Sequence, residues 1–375
     1  MNMFREIHLV YGRLGAVNFV LPIAKTCKGK SIIFCQDGND NCSEIDERIV
    51  ILPNWFNLKI SLDFKFFLNL IPSCVYLYLL LAKNKNAKFI VHMNTFALFP
   101  LIIACLSGIK KRVYFNHGFP FVGATGIMVI IFYVIEFLNI IFSTQIITAS
   151  PRQIDYLKNN IITKIRPIKP IKPGSCCGIS RSRIISQEDL RRKKSLLTSA
   201  KSKIYITYIG RPLVRKGFPY VLKVFESLIE LVPSKNIKLQ IIGVDEEKVL
   251  NALKNKSTKK SILTIKYTKN VDYYLNKSHI TLLPSSRESF GYAFLEGAAK
   301  GNALAMFDIC GPDCLVKKNY NGIVVDFKSN YFNFAKSLAE IINNPKKLSK
   351  MMDNARQSSF EFEQEKVLKS VRDNI

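Results

Sequence analysis

Short apolar runs rich in β-branched and aromatic residues alternate with longer apolar segments along this chain, and this alternation limits the fold more than any other feature. In the first half, the runs EIHLVYG, KSIIFCQDG, KFIVHMN, KRVYFNHG and QIITAS each end in a glycine or a polar turn. The segments between them are long enough for helices. This rhythm predicts parallel strands joined by helices that cover both faces of a sheet.

The alternation stops between 161 and 202 and then starts again. The interruption contains ITKIRPIKPIKPGSCCGIS, with three prolines and several cations, and then the charge run RRKKSLLTSAKSK. We interpret it as a connection between two domains. Beyond it, KIYITYIG, IKLQIIGVD, SILTIKYT, HITLLPSS, ALAMFDI and NGIVVDF predict a second set of strands with helices between them.

A chain of 375 residues is long enough to form two packed domains. We therefore predict an α/β protein of two doubly wound, Rossmann-like domains that face a cleft. The first domain is expected to span 1–172 and the second 173–375, with the last helix a candidate to pack back on the first domain. In such sheets, ligands bind beyond the carboxyl ends of the strands.

The net charge restricts the partners that this chain can attract. The sequence has 55 Lys and Arg against 28 Asp and Glu, a net charge of +27. Such a surface attracts nucleic acid, anionic lipid or phosphorylated substrates, although basic residues spread over solvated faces give the same total. No recognition helix or aromatic–basic platform is evident, and RRKK at 191–194 is typical of a solvated linker face. We expect no nucleic-acid partner.

The cysteines and the apolar segments indicate a cytoplasmic protein. The nine cysteines are scattered without any C-x-x-C spacing, which favours reduced, buried thiols. The first residues contain no apolar stretch typical of a signal peptide. The segments 66–82 and 126–147 approach membrane-spanning length but contain Pro72 and Glu136, respectively. We predict buried or interfacial helices there rather than spans.

Three features of the second half fall at predicted strand ends. In YIGRPLVRKGF, Arg211 and Lys216 bracket a short loop before a helix, an arrangement that favours a diphosphate. In IIGVDE, Gly243 lets the backbone turn close to a ligand. In SSRESFGYAFLEGAAKG, Glu288 and Glu296 lie on either side of a Ser-Phe-Gly turn that opens a helix. The free N–H groups of that helix favour a phosphate, and each carboxylate can accept hydrogen bonds from sugar or ribose hydroxyls.

Each of these residues has an ordinary structural interpretation when it is taken alone. Glu296 then fits a surface acid of a helix, Glu288 an acid before a helix, and Lys216 a solvated charge. Their occurrence together at neighbouring strand ends favours a binding site.

The segment Glu288-Ser-Phe-Gly-Tyr-Ala-Phe-Leu-Glu296 resembles the E-x7-E signature of retaining glycosyltransferases with the GT-B fold, of the family 4 or group 1 type. GRPLVRKG resembles the G-R-x4-K-G donor loop of that family, and GPDCLVKKNYNGIVVD resembles the stretch before its last strand. GSCCGIS is similar to the interdomain segment, and FNHGFPF to the strand-end His-Gly of the acceptor-side domain. The resemblance is strong over 208–326 and weak before residue 150.

The resemblance implies that the first domain binds the acceptor and the second binds a nucleotide sugar. The resemblance implies two catalytic residues. Glu288 would contact hydroxyls of the transferred sugar, and His117 would lie near that sugar across the cleft. His92 ends an earlier strand and is an equally placed cleft residue, but we do not include it in the site.

The resemblance also implies a set of donor-binding residues. Arg211 and Lys216 would hold the diphosphate, and Glu296 would accept the ribose hydroxyls. Gly15, in the first strand-to-helix loop, would approach the diphosphate closely. The backbone N–H groups directed at the phosphates and the sugar would come from Ser289, Phe290 and Gly291.

The reaction implied is transfer of a sugar from a nucleotide diphosphate sugar, with retention of anomeric configuration. The sequence does not reveal the donor; a uridine diphosphate sugar is the first candidate and guanosine diphosphate mannose the next. The acceptor would be a glycan or a lipid-linked glycan in lipopolysaccharide, O-antigen or capsule synthesis. The fixed positive charge of the donor site would stabilise the leaving diphosphate, which would help to deprotonate the acceptor on the same face. No D-x-D pair is placed to hold a metal. We expect neither a metal ion nor a cofactor.

The apolar and basic first half adds an expectation about location. In the family that the chain resembles, the acceptor-side domain often docks on a membrane, so we expect a peripheral protein on the inner face of the cytoplasmic membrane. A core helix with a charged outer face is the alternative. The residues expected at an anionic membrane surface are Trp55, Phe56, Lys59, Phe64, Lys65, Phe66 and Phe67.

Other functions stay open at this point. A nucleotide-sugar epimerase or a phosphorylase would share the fold, but the acid–base pair of the first and the pyridoxal phosphate lysine of the second are not evident. A basic nucleic-acid-binding or membrane-binding protein without transferase activity is a different class. An integral protein anchored by 126–147 would resist carbonate extraction, which separates it from a peripheral enzyme.

Overall fold

The computed structural model describes residues 4–12, 15–36, 46–58, 64–92, 97–119, 121, 124–154, 166–198 and 203–375. Contacts between residues divide the chain into two compact units. The first consists of Met1–Cys177 and Glu365–Ile375, and the second of Gly178–Gln364. The division therefore lies between 177 and 178, slightly later than the sequence prediction of 172 and 173, and the last eleven residues group with the first unit.

The first unit contains a seven-stranded parallel sheet. Its strands are β1 (Glu6–Val10), β2 (Ser31–Gln36), β3 (Ile49–Leu52), β4 (Lys88–His92), β5 (Lys111–Asn116), β6 (Gln145–Thr148) and β7 (Ile168–Pro170). They are hydrogen-bonded in the order β3-β2-β1-β4-β5-β6-β7. All five residues of the interior strand β1 are buried, because helices cover both faces of a doubly wound sheet.

Apolar helices pack against this sheet. A π-helical turn (Ala16–Val20) runs into helix α1 (Leu21–Lys25), and the further helices are α2 (Phe64–Ala82), α3 (Leu98–Leu106) and α4 (Ile127–Phe142). A core cluster joins sheet residues such as Phe89 and Tyr114 to helix residues such as Leu77, Leu101 and Ile140. No helix among the described residues is long and apolar enough to cross a bilayer.

The second unit contains a six-stranded parallel sheet. Its strands are β8 (Lys203–Ile209), β9 (Asn236–Ile242), β10 (Ile262–Ile265), β11 (Ile280–Leu283), β12 (Ala303–Phe307) and β13 (Gly322–Val325). They are hydrogen-bonded in the order β10-β9-β8-β11-β12-β13. The direction of strand addition reverses between β8 and β11, which places a topological switch point there.

Eight α-helices follow among the described residues from 166 onward. They are α5 (Gln187–Ser195), α6 (Phe218–Leu231), α7 (Glu246–Ala252), α8 (Val271–Lys277), α9 (Tyr292–Ala299), α10 (Tyr331–Ile342), α11 (Pro345–Ser359) and α12 (Gln364–Asn374). Helix α12 is tied to the first unit by Arg372, which donates hydrogen bonds to the Ile23 carbonyl and the Thr26 hydroxyl, both 2.7 Å away, and to Glu6.

The charge run at 191–194 was expected to be a solvated linker face. Arg191 and Arg192 are exposed, as expected, but the run is helical and Lys193 is buried, so the linker assignment is wrong. The run lies within α5, whose first turn is capped by the Ser186 hydroxyl accepting from the Asp189 N–H. Lys193 is 6% exposed, and its ammonium donates to the carbonyl oxygens of Leu275 and Lys300. The chain buries this cation because backbone carbonyls satisfy it.

Candidate active site

The candidate donor residues gather at the switch point of the second sheet. Strands β8 and β11 pair in parallel there, so their carboxyl ends lie at the same edge. The loop after β8 contains Arg211 and Lys216, and the loop after β11 contains Glu288 and the Ser-Phe-Gly turn. This edge is where an open α/β sheet binds its ligands.

The loop after β8 is pressed against the end of β11 at Gly217. This residue begins α6 with φ +74°, and a Cβ there would come 2.0 Å from the Pro284 carbonyl oxygen. Two residues further into each loop, the Ser286 N–H donates to the Arg215 carbonyl at 3.0 Å. Glycine is required at 217 for both its left-handed backbone and its lack of a side chain.

This approach brings Lys216 and Glu288 together. The Lys216 Nζ lies 2.8 Å from both carboxylate oxygens of Glu288, and the Ser285 hydroxyl donates to one of them at 2.8 Å. The Glu288 side chain is 8% exposed, whereas that of Lys216 is 24% exposed. The cation is therefore accessible to an anionic ligand, while the carboxylate is held behind it by two donors.

Arg211 lies at the other end of the same loop, and its side chain is exposed. The buried Tyr208 hydroxyl lies 3.0 Å from the Arg211 carbonyl oxygen and 3.2 Å from that of Lys216. Burial, with the nearby Glu288 charge, raises the pKa of Tyr208, so its hydroxyl stays a donor. Tyr208 thus fixes both ends of the loop that carries the two cations.

The Ser-Phe-Gly turn opens helix α9. Gly291 has φ +79° and begins the helix, and the Phe290 side chain is 4% exposed and packs on Phe362 with ring centroids 5.4 Å apart. At Gly311, a Cβ would come 2.5 Å from the Glu288 carbonyl oxygen, so another close backbone approach holds this turn. Ser289 is half-buried at the same turn. The backbone roles assigned to these residues stay a prediction.

Glu296 belongs to a charged cluster that sequence reasoning missed. Arg183 Nη2 donates to Glu296 Oε1 at 2.9 Å, and Arg183 Nε donates to Asp272 at 3.1 Å. The Lys300 ammonium lies 3.0 Å from Asp272. Burial raises the pKa of Glu296, and the Arg183 charge opposes this shift. The Glu296 side chain keeps 16% exposure, so a ligand hydroxyl can reach it.

The remaining two candidates lie in the first unit. His117 follows β5, is half-buried, and stacks on Phe115 with ring centroids 4.9 Å apart. Burial lowers the pKa of His117 to about 4, so the ring is neutral at physiological pH. Gly15 has φ −65°, and a Cβ there would make only an ordinary contact at 3.5 Å with Val10. The structure imposes no glycine at position 15, and its role at the diphosphate stays a prediction.

The arrangement in the second unit suits an anion that carries hydroxyl groups. Two cations, Arg211 and Lys216, and the amino-terminal ends of α6 and α9 supply positive potential at one edge of the sheet. Glu288 and Glu296 supply acceptors nearby. Within the described ranges, no group of three His, Cys, Asp or Glu side chains is placed to hold a metal ion.

Comparisons with known proteins identify a similar family and similar folds. Residues 189–358 match the sequence model of the family described as glycosyl transferases group 1. An uncharacterized glycosyltransferase of Haemophilus influenzae is 30% identical over 47% of this chain, and the match spans about half of that relative, 49%. A UDP-Gal:alpha-D-GlcNAc-diphosphoundecaprenol alpha-1,3-galactosyltransferase of Escherichia coli is 24% identical over 76% of this chain and 73% of its own length.

The fold has a full-length counterpart among solved structures. The Anabaena protein Alr3699/HepE, solved in complex with UDP and glucose, superposes with a TM-score of 0.72. The match covers 99% of this chain and 98% of the other at 14% identity, which compares folds rather than activities. The predicted GT-B fold of two doubly wound α/β domains is confirmed. Over residues 189–358, this chain is similar to the glycosyl transferases group 1.

Proposed function

We propose that the protein transfers a sugar from a nucleotide diphosphate sugar to a glycan or a lipid-linked acceptor, with retention of anomeric configuration and without a metal ion. The observation that carries this proposal is the pairing of Lys216 with Glu288 at the switch point, 2.8 Å apart, beside the amino-terminal ends of α6 and α9. A diphosphate and the hydroxyls of a sugar fit this combination of charges.

The proposed donor is a uridine diphosphate sugar. The structurally similar Anabaena protein was solved with UDP and glucose, and the E. coli relative is named for a UDP-galactose donor. Glu296, exposed by 16% and next to Arg183, is the proposed acceptor for ribose hydroxyls. Arg211 and Lys216 are proposed to bind the two phosphates.

The proposed mechanism depends on stabilising the leaving group. Cleavage of the sugar–phosphate bond places negative charge on the nucleoside diphosphate and positive charge on the sugar ring. Lys216, Arg211 and the helix ends are fixed before the reaction and stabilise the growing negative charge without reorganising. The departing phosphate then takes the proton of the acceptor hydroxyl, and the acceptor oxygen bonds to the anomeric carbon on the face that the phosphate leaves. Neutral His117 is proposed to hydrogen-bond the transferred sugar.

A panel of nucleotide sugars tests the function directly. We expect one donor to bind equally with and without EDTA, and Glu296→Ala to weaken its binding by about 10- to 100-fold, because hydrogen bonds to a charged acceptor are lost. Glu247→Ala, which removes an exposed acid from α7, is the matched control. Binding by titration calorimetry and release of the nucleoside diphosphate are the measurements.

The other outcomes contradict different parts of the proposal. A bound donor that is converted to its epimer without an acceptor indicates an epimerase. Failure of every donor to bind, or binding that ignores Glu296→Ala, rejects the proposed donor site. Loss of binding in EDTA rejects the metal-independent mechanism.

We further propose that the first unit docks on a membrane surface. Helix α2 exposes large apolar side chains at helical spacing, including Phe64 at 76%, Phe67 at 57% and Ile71 at 72%, and α4 exposes Ile127 and Ile130. Exposed apolar stripes of this size mark interaction surfaces. A lipid-linked acceptor, such as the diphosphoundecaprenol that names the E. coli relative, would be met at such a surface.

The other residues expected on this surface differ in placement. Trp55 is 41% exposed, but Phe56 is 3% exposed and packs in the core, so its expected place at the membrane is wrong. Lys59 and the side chains of Lys65 and Phe66 lie outside the described residues.

Liposome flotation tests the membrane surface. We expect Ile71→Asp and Ile130→Asp each to weaken binding to anionic vesicles on the order of tenfold, because burial of one large apolar side chain is lost. Leu196→Asp replaces an apolar side chain of similar exposure, 56%, in the second unit and should bind as the wild type does. Equal flotation of all three variants and the wild type would reject this surface.

A further inference from the structure

A carboxyl group is buried in an apolar helix of the first unit. Glu136 lies on α4, in the sequence IMVIIFYVIEFLNIIF, and is 1% exposed. Three donors surround it: the Tyr114 hydroxyl at 3.0 Å, the Asn116 amide at 2.6 Å and the Asn139 amide at 3.4 Å. Nothing in the proposed mechanism uses this group, although placing a carboxyl there costs free energy that an apolar residue would not.

The orientation of Asn116 links this carboxyl to the end of strand β5. The Gly118 N–H donates to Asn116 Oδ1 at 2.6 Å. Since a backbone N–H can only donate, the Asn116 oxygen must face Gly118 and its NH2 group must face Glu136. Gly118 has φ +109°, which closes a tight turn. Glu136 therefore holds, through one side chain, the turn that begins and ends on either side of His117.

The ring of His117 is supported in the same way. It stacks on Phe115 at 4.9 Å and 15°, and Phe115 stacks in turn on His92 at 4.9 Å and 29°. The backbone of His117 is thus fixed by the Asn116–Gly118 hydrogen bond and one face of its ring by Phe115. A change at Glu136 would reach His117 through the first of these two supports.

We propose that Glu136 is a positioning residue for His117, and that loss of its negative charge loosens the 116–118 turn and slows sugar transfer. This inference rests on the proposed function, in which His117 contacts the transferred sugar. The ionised carboxylate accepts all three donors, whereas the protonated form must give up one acceptor site to its own proton.

The charge of Glu136 changes within the physiological range. Burial raises the pKa of Glu136 to about 7, and hydrogen bonds from Tyr114, Asn139 and Asn116 oppose that shift. The groups that face it are Tyr114 and Asn116 from β5 and Asn139 from its own helix. Burial and the Glu136 charge raise the pKa of Tyr114 well above its usual value, so Tyr114 stays protonated. The pKa of His117 is lowered to about 4, so its own titration falls outside this range.

Glu136→Gln tests the proposal with little loss of packing. A Gln oxygen can still accept from Asn116, and its NH2 group can donate to the Tyr114 hydroxyl, so the variant mimics the protonated state at every pH. Glu226→Gln is the control, because Glu226 is also a buried carboxyl, 8% exposed, but accepts from the Asn255 N–H in the second unit.

Two measurements, made between pH 5.5 and 8.5, compare Glu136→Gln with the wild type and with the control. The first is the imidazole nitrogen shift of His117, which His117→Gln assigns among only four histidines. The second is the pH profile of kcat and of KM for the donor. In wild type and Glu226→Gln, we expect an inflection near pH 7 in the His117 shift, and kcat falling below that pH. In Glu136→Gln we expect no inflection, a kcat about tenfold lower at pH 8, and an unchanged KM.

The outcomes separate this inference from the proposed function. An inflection of the His117 shift that persists in Glu136→Gln overturns the coupling, even in an active transferase. A kcat profile equal to that of the wild type also overturns it, and Glu136 is then a structural residue only. Loss of the inflection supports the coupling whether or not any donor is turned over, whereas inactivity of the wild type with every donor counts against the proposed function alone.

Discussion

Lys216→Ala is expected to lower kcat/KM for the donor sugar by about 10²- to 10³-fold, the cost of removing one fixed charge from a leaving-group site. Two effects act together. The diphosphate loses a cation, and Glu288, 8% exposed, loses the ammonium that lies 2.8 Å from both of its oxygens. The uncompensated carboxylate would then repel the diphosphate from behind the loop.

A double-mutant cycle separates these two effects. If repulsion by Glu288 contributes, Lys216→Ala with Glu288→Gln should be less impaired than the sum of the two single variants predicts. Lys235→Ala removes an exposed lysine of the second unit and should keep the wild-type kcat/KM. A kcat/KM for Lys216→Ala within threefold of the wild type would exclude Lys216 from the leaving-group site. If the effects of Lys216→Ala and Glu288→Gln on kcat/KM are additive, the Lys216–Glu288 ion pair does not contribute to the reaction.

Much of the fold follows from the sequence, and the strands that escaped prediction have a shared physical reason. The central strands, such as β1, β4, β5 and β8, are compact apolar runs because both of their faces are buried. Strands β3 and β7 were not predicted, and they form the two edges of the first sheet. Among the described residues, only one side of β7 pairs with another strand, so this edge tolerates Pro170. The prolines of this segment therefore suggested a connection between domains.

Some residues of the candidate site could also be predicted from the sequence, and others could not. Lys216 and Glu288 could be predicted together because each follows a strand, and the two strands share an edge of one sheet. Arg183 could not be predicted, because it lies 113 positions before Glu296 in a segment that resembles a connection. Only tertiary packing joins them. Glu136 is visible in the sequence as a charged residue within an apolar run, which argued against a membrane span. The sequence did not indicate that Glu136 contacts the turn at Asn116.

Gly217→Ala is expected to lower the free energy of unfolding of the second unit by about 3 kcal/mol or more, from left-handed strain of 1–2 kcal/mol and the cost of overpacking. The added Cβ would lie 2.0 Å from the Pro284 carbonyl oxygen, which belongs to the backbone at the end of β11 and cannot rotate away. The two loops must therefore separate. Since this approach holds Lys216 against Glu288, donor binding should weaken along with stability.

A second glycine separates strain from collision. Gly108 also has a left-handed backbone, φ +82°, but a Cβ there would meet only the flexible Lys85 side chain at 3.7 Å. Gly108→Ala should cost the strain alone, about 1 kcal/mol. Asparagine tolerates the left-handed conformation, so Gly108→Asn should be nearly neutral, whereas Gly217→Asn should remain as damaging as Gly217→Ala. Urea unfolding of each unit measures these changes. If Gly217→Asn had the stability of the wild type, backbone strain alone would explain why position 217 is glycine. The inference that close packing of the two loops brings Lys216 to Glu288 would then be wrong.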